Sequence, residues 1–242
     1  MATAHRGHKR QVRRRRDAAH AGAQAAGVPI PRPATSRGLA TAGFVTHNVR
    51  GIRKSADLVS KWFSHFRARD HAGAAAIAFI QETHAEAADI PKLVDLHARG
   101  WGYNASLQPG NGSLWSSCSR RSGGVAMLRN PHAVVTALTP VQQSRWTAHW
   151  TAATTLVHGE SLLLINLYAP TDHASREPLF KILTEVVLVH DGPALVGGGF
   201  NCTIHPGADR PYDRAAAAHY SPALGRMTEQ WRWEDVLLHE MV

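Results

Sequence analysis

Four short apolar runs, each closed by an amide, an acid or a phenol, constrain this chain most. FVTHNV (Phe44–Val49) carries Asn48 near its end, and AIAFIQ (Ala76–Gln81) runs directly into Glu82-Thr83-His84. LLLINLY (Leu162–Tyr168) holds Asn166 and closes on Tyr168. ALVGGGF (Ala194–Phe200) leads into Asn201. Apolar runs of four to eight residues bounded by turn formers are strand-sized.

Helical periodicity fills the spaces between them. Leu58, Trp62, Phe63 and Phe66 recur at helical spacing, which predicts a helix over 55–69 with that stripe turned inward. Ile90, Leu93, Val94 and Leu96 predict a second helix, ended by Gly100, and Leu179, Ile182, Leu183, Val186 and Val187 predict a third. Further strands are predicted at 101–107, 123–129, 132–138, 145–157 and 161–168, with His158-Gly159 as the turn joining the last two. Helices between strands argue for parallel neighbours, and the strand-only middle argues for antiparallel ones. The pattern is that of a mixed α/β domain of sandwiched sheets.

Composition removes several classes. With 242 residues, 44% hydrophobic and 19% charged, the chain can bury a real core in one or two domains. No run approaches the roughly 18 apolar residues that span a bilayer, and no apolar stretch follows the cationic start as a secretory signal requires. Cys118 and Cys202 are too few for a disulfide framework, and none of the sixteen histidines has zinc spacing. An intracellular chain is expected, with no membrane and no small-molecule cofactor. The net charge of +9 is uneven, because residues 1–41 hold nine Lys and Arg against one acid, Asp17. That segment lacks periodicity and is predicted to be a disordered basic tail, with the folded domain over 42–242. Its block KRQVRRRR (Lys9–Arg16) fits a nuclear-localisation signal or a phosphate-binding arm, with Arg13, Arg14, Arg15 and Arg16 as nucleic-acid-binding candidates, or a solubilising tail without a role of its own.

The polar strand ends carry the chemistry. Amides, an acid and a phenol ending four strands of one α/β domain can surround a single cleft. A hard cation such as Mg²⁺ takes oxygen ligands and keeps waters, so Glu82 with an amide oxygen nearby suits it. Taken singly, each residue is equally an ordinary strand-end polar or turn former.

Taken in order, FVTHNVRGI, FIQETH, SGGVAML, LLLINLYAPTD and LVGGGFN resemble the endonuclease/exonuclease/phosphatase superfamily over about residues 43–242. Their flavour is similar to the apurinic-endonuclease-like domains of non-LTR (LINE-type) retrotransposons. The resemblance implies a four-layer α/β/β/α sandwich of two mixed sheets, and Mg²⁺- or Mn²⁺-dependent hydrolysis of DNA phosphodiesters. It implies Glu82 as metal-binding glutamate, Asn48 orienting the metal site, Tyr168 lining the cleft and Asn201 contacting the scissile phosphate. Asp209-Arg210 resembles a downstream Asp-Arg pair of the family.

Two departures qualify the resemblance. Where the family reads Gly-Asp-Phe/Leu-Asn, this chain reads Gly198-Gly199-Phe200-Asn201, so the carboxylate that orients or deprotonates the attacking water is absent. The family also continues to a Ser-Asp-His motif, whereas this sequence stops at Val242, and Asp235-Val236 resembles the middle of the fold. The expectation is a C-terminally incomplete, inactive endonuclease-like domain of retroelement origin, with DNA as partner and with a partner or longer polypeptide completing the sandwich. Two alternatives stand beside it: a non-catalytic nucleic-acid binder working through its Arg-rich tail, and a phosphodiesterase of lipid or inositol phosphates.

Overall fold

A computed structural model describes residues 42–52, 54–66, 75–103, 112–119, 122–186, 188, 190–205 and 219–234, and only the backbone at 65 and 66. Arg13–Arg16, Asp209-Arg210 and Asp235-Val236 lie outside these residues. The described strands form two four-stranded sheets. The first contains β1 (Gly43–Asn48), β2 (Ala75–Gln81), β3 (Ser113–Trp115) and β4 (Val125–Arg129), in the order β1-β2-β4-β3. The second contains β5 (Thr139–Pro140), β6 (Trp150–Val157), β7 (Glu160–Tyr168) and β8 (Ala194–Gly199), in chain order. The helix α1 (Ala56–Phe66) joins the parallel pair β1 and β2, and α3 (His173–Glu185) joins the parallel pair β7 and β8. The remaining pairs are antiparallel.

Three apolar layers hold the sandwich together, and the two-residue period of each strand decides which layer a side chain joins. Ile77 and Phe79 of β2, Met127 of β4, Ala153 of β6 and Leu164 of β7 fill the gap between the sheets. Ala78, Ile80, Ala126 and Leu128 face the opposite way, against Val59 and Phe63 of α1 and Leu93, Leu96 and Trp101 of α2 (Ile90–Trp101). On the far side, Ala152, Leu163, Ile165 and Leu167 meet Leu179, Phe180 and Leu183 of α3 and Leu224 and Met227 of α4 (Pro222–Trp231). Fully burying one Leu, Ile or Phe side chain stabilises by roughly 1.5–3 kcal/mol, so each layer contributes substantially. The result is the α/β/β/α sandwich of two mixed sheets.

Local details depart from the periodicity. In α1 the buried residues are Val59 and Phe63, while Leu58 is 53% exposed, so the inward stripe lies one position further round. Ile182 of α3 likewise faces outward at 53% exposure. Gly100 does not end α2: a Cβ there would stand 2.9 Å from Phe63 Cβ, so the glycine lets α1 and α2 approach closely. The helix stops one turn edge later, at Gly102 in the left-handed conformation (φ 76°), whose N–H reaches the Ala98 and Arg99 carbonyls. The strand expected over 132–138 is absent: Asn130 Oδ1 accepts the His132 N–H in a turn, and Val135 alone bridges to Val157. β6 starts at Trp150 rather than 145, because Gln143–Arg145 form a turn of 3-10 helix. Trp101 belongs to α2, and 104–107 of the strand expected at 101–107 lie outside the described residues.

Candidate active site

The same period-2 alternation that fills the inter-sheet gap also builds its polar mouth. Phe44, Ile77, Phe79 and Leu164 line the gap. Continuing in steps of two along β1, β2 and β7 leads to Asn48, Gln81 and Tyr168 at the carboxyl ends of the strands. There the apolar filling gives way to hydrogen-bonding groups.

The deepest of these are buried. Asn166 is 0% exposed and Gln81 is 2% exposed. Gln81 Nε2 donates to Asn166 Oδ1 (2.9 Å), and Asn166 Nδ2 donates to the carbonyls of Ile80 (3.0 Å) and Ala126 (2.8 Å). Thr46 Oγ1 donates to Gln81 Oε1 (3.1 Å). A buried amide left unpaired costs about 1–3 kcal/mol; here four hydrogen bonds hold two amides and pin one sheet to the other. The sequence reading placed Asn166 among the cleft-lining polars. In the fold it lies beneath the cleft, in the layer that fixes the cleft's position.

Directly above lies Glu82. Its Oε1 accepts hydrogen bonds from Asn48 Nδ2 (2.8 Å) and from the Tyr168 hydroxyl. Its backbone sits at φ 53°, a region non-glycine residues seldom occupy, and Gly51 N–H bonds its carbonyl at 2.7 Å. Asn48 Oδ1 in turn accepts the Arg50 N–H (3.1 Å). His84 Nε2 lies 3.9 Å from Glu82 Oε2. Partial burial pushes the Glu82 carboxyl up. The donors Tyr168 and Asn48, with the charges of His84 and Arg50, outweigh that effect and hold it below the usual carboxylate value. Burial, together with the hydrogen bond to Glu82 and its charge, pushes the Tyr168 phenol up to about 12 against a smaller opposing effect of the Asn201 amide. At neutral pH the pair is therefore a carboxylate and a neutral phenol donor.

Asn201 closes the array. It follows β8 at φ 51°, and its Nδ2 donates to the Ala169 carbonyl at 2.6 Å, beside Tyr168. The structure thus brings Asn48, Glu82, Tyr168 and Asn201 together. Arg13, Arg14, Arg15 and Arg16 are not among the described residues.

Gly199 stands beside Tyr168, and the three glycines of β8 differ in what they permit. A Cβ at Gly198 (φ 139°) would fall 1.8 Å from the Leu167 carbonyl oxygen, and one at Gly197 would fall 2.5 Å from the Phe79 ring. At Gly199 the nearest atom would be Tyr168 Cδ2 at 3.4 Å, an ordinary contact, and its φ is not positive. Two of the glycines are required by space; Gly199 is not.

Two residues that spacing did not reveal support this layout. His149, just before β6, donates from Nδ1 to the Tyr168 carbonyl (3.0 Å), and its ring stacks on the Tyr168 ring at 6.5 Å and 24°. Arg176, in the first turn of α3, bonds the Asn201 carbonyl (2.8 Å). Neither belongs to a strand-end motif, so neither had a sequence signal.

Among the described residues no three His, Cys, Asp or Glu side chains gather as a metal cage. The oxygen donors at this point are the Glu82 carboxylate and the Asn48 carboxamide, with the His84 ring nitrogen 3.9 Å from Glu82 Oε2. Such a set fits a hard, water-keeping cation of the Mg²⁺ or Mn²⁺ type and does not fit a soft metal.

Residues 45–237 match the family model described as "Endonuclease/Exonuclease/phosphatase family". Curated proteins yield no match. Among solved structures, the endonuclease domain of TRAS1, a telomere-specific non-LTR retrotransposon, is 17% identical, with 76% of this chain and 71% of that chain covered at a TM-score of 0.46. The AP endonuclease from Archaeoglobus fulgidus is 17% identical, with coverage of 78% and 69% and a TM-score of 0.45. The AP endonuclease LMAP from Leishmania major is 14% identical, with coverage of 79% and 65% and a TM-score of 0.49. The chain therefore spans 65% to 71% of the length of these three structures.

Proposed function

The chain belongs to the endonuclease/exonuclease/phosphatase family, and on that footing we propose that its cleft binds a DNA phosphodiester and a divalent cation but hydrolyses the ester poorly or not at all. Nucleases of this family usually use divalent metals. In this reading Glu82 and Asn48 hold Mg²⁺ or Mn²⁺, Tyr168 lines the cleft, and Asn201 faces the phosphate. A bound cation would neutralise phosphate charge and acidify a coordinated water. The chain's own residues do the rest: Tyr168 and Asn48 hold the Glu82 carboxylate in one orientation, and Asn201 offers an amide at the height of the phenol. The observation that carries the reading is the shared acceptor Glu82 Oε1, on which Asn48 and Tyr168 converge. Poor hydrolysis follows from Gly199, which brings no general base; such a group contributes about 10²–10⁴-fold. The ordered motif set supports a retroelement origin.

Incubation of purified protein with supercoiled plasmid in Mg²⁺ or Mn²⁺ tests the reading. The expected result is metal-dependent retention of DNA without nicking. Nicking that disappears in Glu82→Ala would overturn the expectation of inactivity, and absence of any metal-dependent binding would overturn the site.

One observation favours a second contribution. Nine cations against one acid in residues 1–41 suit a phosphate-binding arm, and the block Lys9–Arg16 suits nuclear import. Arg13–Arg16 would then add sequence-independent, salt-sensitive affinity to whatever the cleft supplies.

A further inference from the structure

Arg176 occupies the first turn of α3 and is 1% exposed, although arginine is rarely buried to that degree unless paired. One nitrogen, Nη1, donates to two carbonyls: Thr171 (3.0 Å), in the turn after β7, and Asn201 (2.8 Å), after β8. Its Nε and Nη2 have no hydrogen-bond partner among the described residues. Burying a guanidinium is costly, and leaving N–H groups unmet adds to the cost. Leu179, Phe180 and Leu183 already anchor α3 on the sheet, so docking the helix does not require a cation here.

What the cation reaches explains its place. Asn201 holds a left-handed backbone (φ 51°), a conformation asparagine adopts more readily than other side-chain-bearing residues. In that conformation its side chain donates to Ala169, whose own N–H bonds the Gly199 carbonyl at 2.8 Å. The turn after β7 and the turn after β8 are thus stitched together three times, and Arg176 supplies the buried stitch. We propose that Arg176 is a positioning residue, which clamps the two turns and so fixes the Asn201 carboxamide beside Tyr168. The proposal rests on the reading of Asn201 as a phosphate-facing group, but the clamp itself is measurable without substrate.

The test compares the full chain with Arg176→Met and Arg176→Lys by amide hydrogen exchange and NMR. Because a single nitrogen meets both carbonyls, a lysine ammonium can replace it, whereas methionine keeps the volume alone. In Arg176→Met the Ala169 amide is expected to exchange roughly tenfold faster relative to Ile165 in the middle of β7. The Asn201 side-chain amide signals, assigned by their loss in Asn201→Ala, are expected to shift, and Arg176→Lys is expected to restore both. Wild-type Ala169 protection in the methionine variant, or a lysine variant no better than methionine, overturns the clamp. If Arg176→Met does not fold, the wild type decides: slowly rotating Nη1 protons coupled to the Thr171 and Asn201 carbonyls support the clamp, and a freely averaging guanidinium overturns it. Adding Mg²⁺ and a dinucleotide phosphodiester to the wild type separates the two readings. Unmoved Asn201 signals there sink the phosphate role and leave the clamp standing.

Discussion

The carboxamides of Asn166 and Gln81 meet 2.9 Å apart in the gap between the sheets, one layer beneath the point where Tyr168 meets Glu82. The meeting of β2 and β7 at the upper level therefore depends on the lower one. Asn166 and Tyr168 share a face of β7, while Gln81 and Glu82 are consecutive, so any slip between the sheets separates the carboxylate from the phenol.

Asn166→Leu is accordingly expected to cost at least about 3 kcal/mol, since Gln81, Ile80 O and Ala126 O each lose a buried partner. Urea denaturation measures this. A loss below about 1 kcal/mol would mean that water or rearranged side chains replace the clamp.

Gly199→Asp is expected to fold with nearly wild-type stability, because a Cβ there meets nothing closer than 3.4 Å. Plasmid nicking in Mg²⁺ is expected to rise by about 10²-fold or more as the carboxylate becomes available. Gly198→Ala, by contrast, drives a Cβ to within 1.8 Å of Leu167 O and is expected to unfold the β8 edge. Equal stability of the two variants would refute the distinction drawn between neighbouring glycines.

Stability is expected to fall on acidification through His97. The ring is 1% exposed among Phe63, Trp101 and Tyr103, and its Nε2 has no hydrogen-bond partner among the described residues. Burial, helped by the Arg129 charge, pushes it down to about 3 from 6.5. A histidine kept neutral in the fold takes up its proton first in the unfolded chain. It costs no stability above pH 6.5, and below that the fold loses about 1.4 kcal/mol per pH unit down to about 3. Thermal melts from pH 7 to 5 read the slope, and His97→Leu should flatten it; an unchanged slope points to other groups.

The basic arm has a salt signature. If Arg13–Arg16 each neutralise one phosphate, deleting 1–41 lowers the slope of log affinity against log salt by about 3.6. An unchanged slope, measured by fluorescence anisotropy with duplex DNA, excludes the arm from the interface.

Much of the sandwich was legible because β2, β4 and the second half of β7 are continuous apolar runs buried on both faces, while β8, only half-buried, is a short apolar run closed by glycines. The site's four side chains were legible for a related reason: each interrupts such a run at its end. What escaped was set by packing. Leu58 and Val59 are adjacent in α1, and only the tilt against Phe63 and Trp101 decides which is buried. The helix α4 has a weak apolar stripe interrupted by Gly225, although Ser221, which caps Leu224 N–H at 3.1 Å, and Pro222 after it are a fair start signal. Arg176 reads as a surface cation in SREPLF; its burial depends on the two turns it joins, which lie 30 residues apart from Thr171 to Asn201.

The order of strands divides the cleft into halves of unequal firmness. β2, which leads into Glu82, and β7, which ends on Tyr168, are bonded to neighbours on both sides, whereas β1 and β8 each lie at an outer edge of their sheet among the described residues. The two asparagines of the array belong to those outer strands or to the turn beyond. Breathing of the edges would withdraw Asn48 and Asn201 while leaving Glu82 and Tyr168 bonded to each other. Warming or mild denaturant should therefore erase the cleft's grip on its ligand well before the two sheets part, and loss of binding would precede loss of fold.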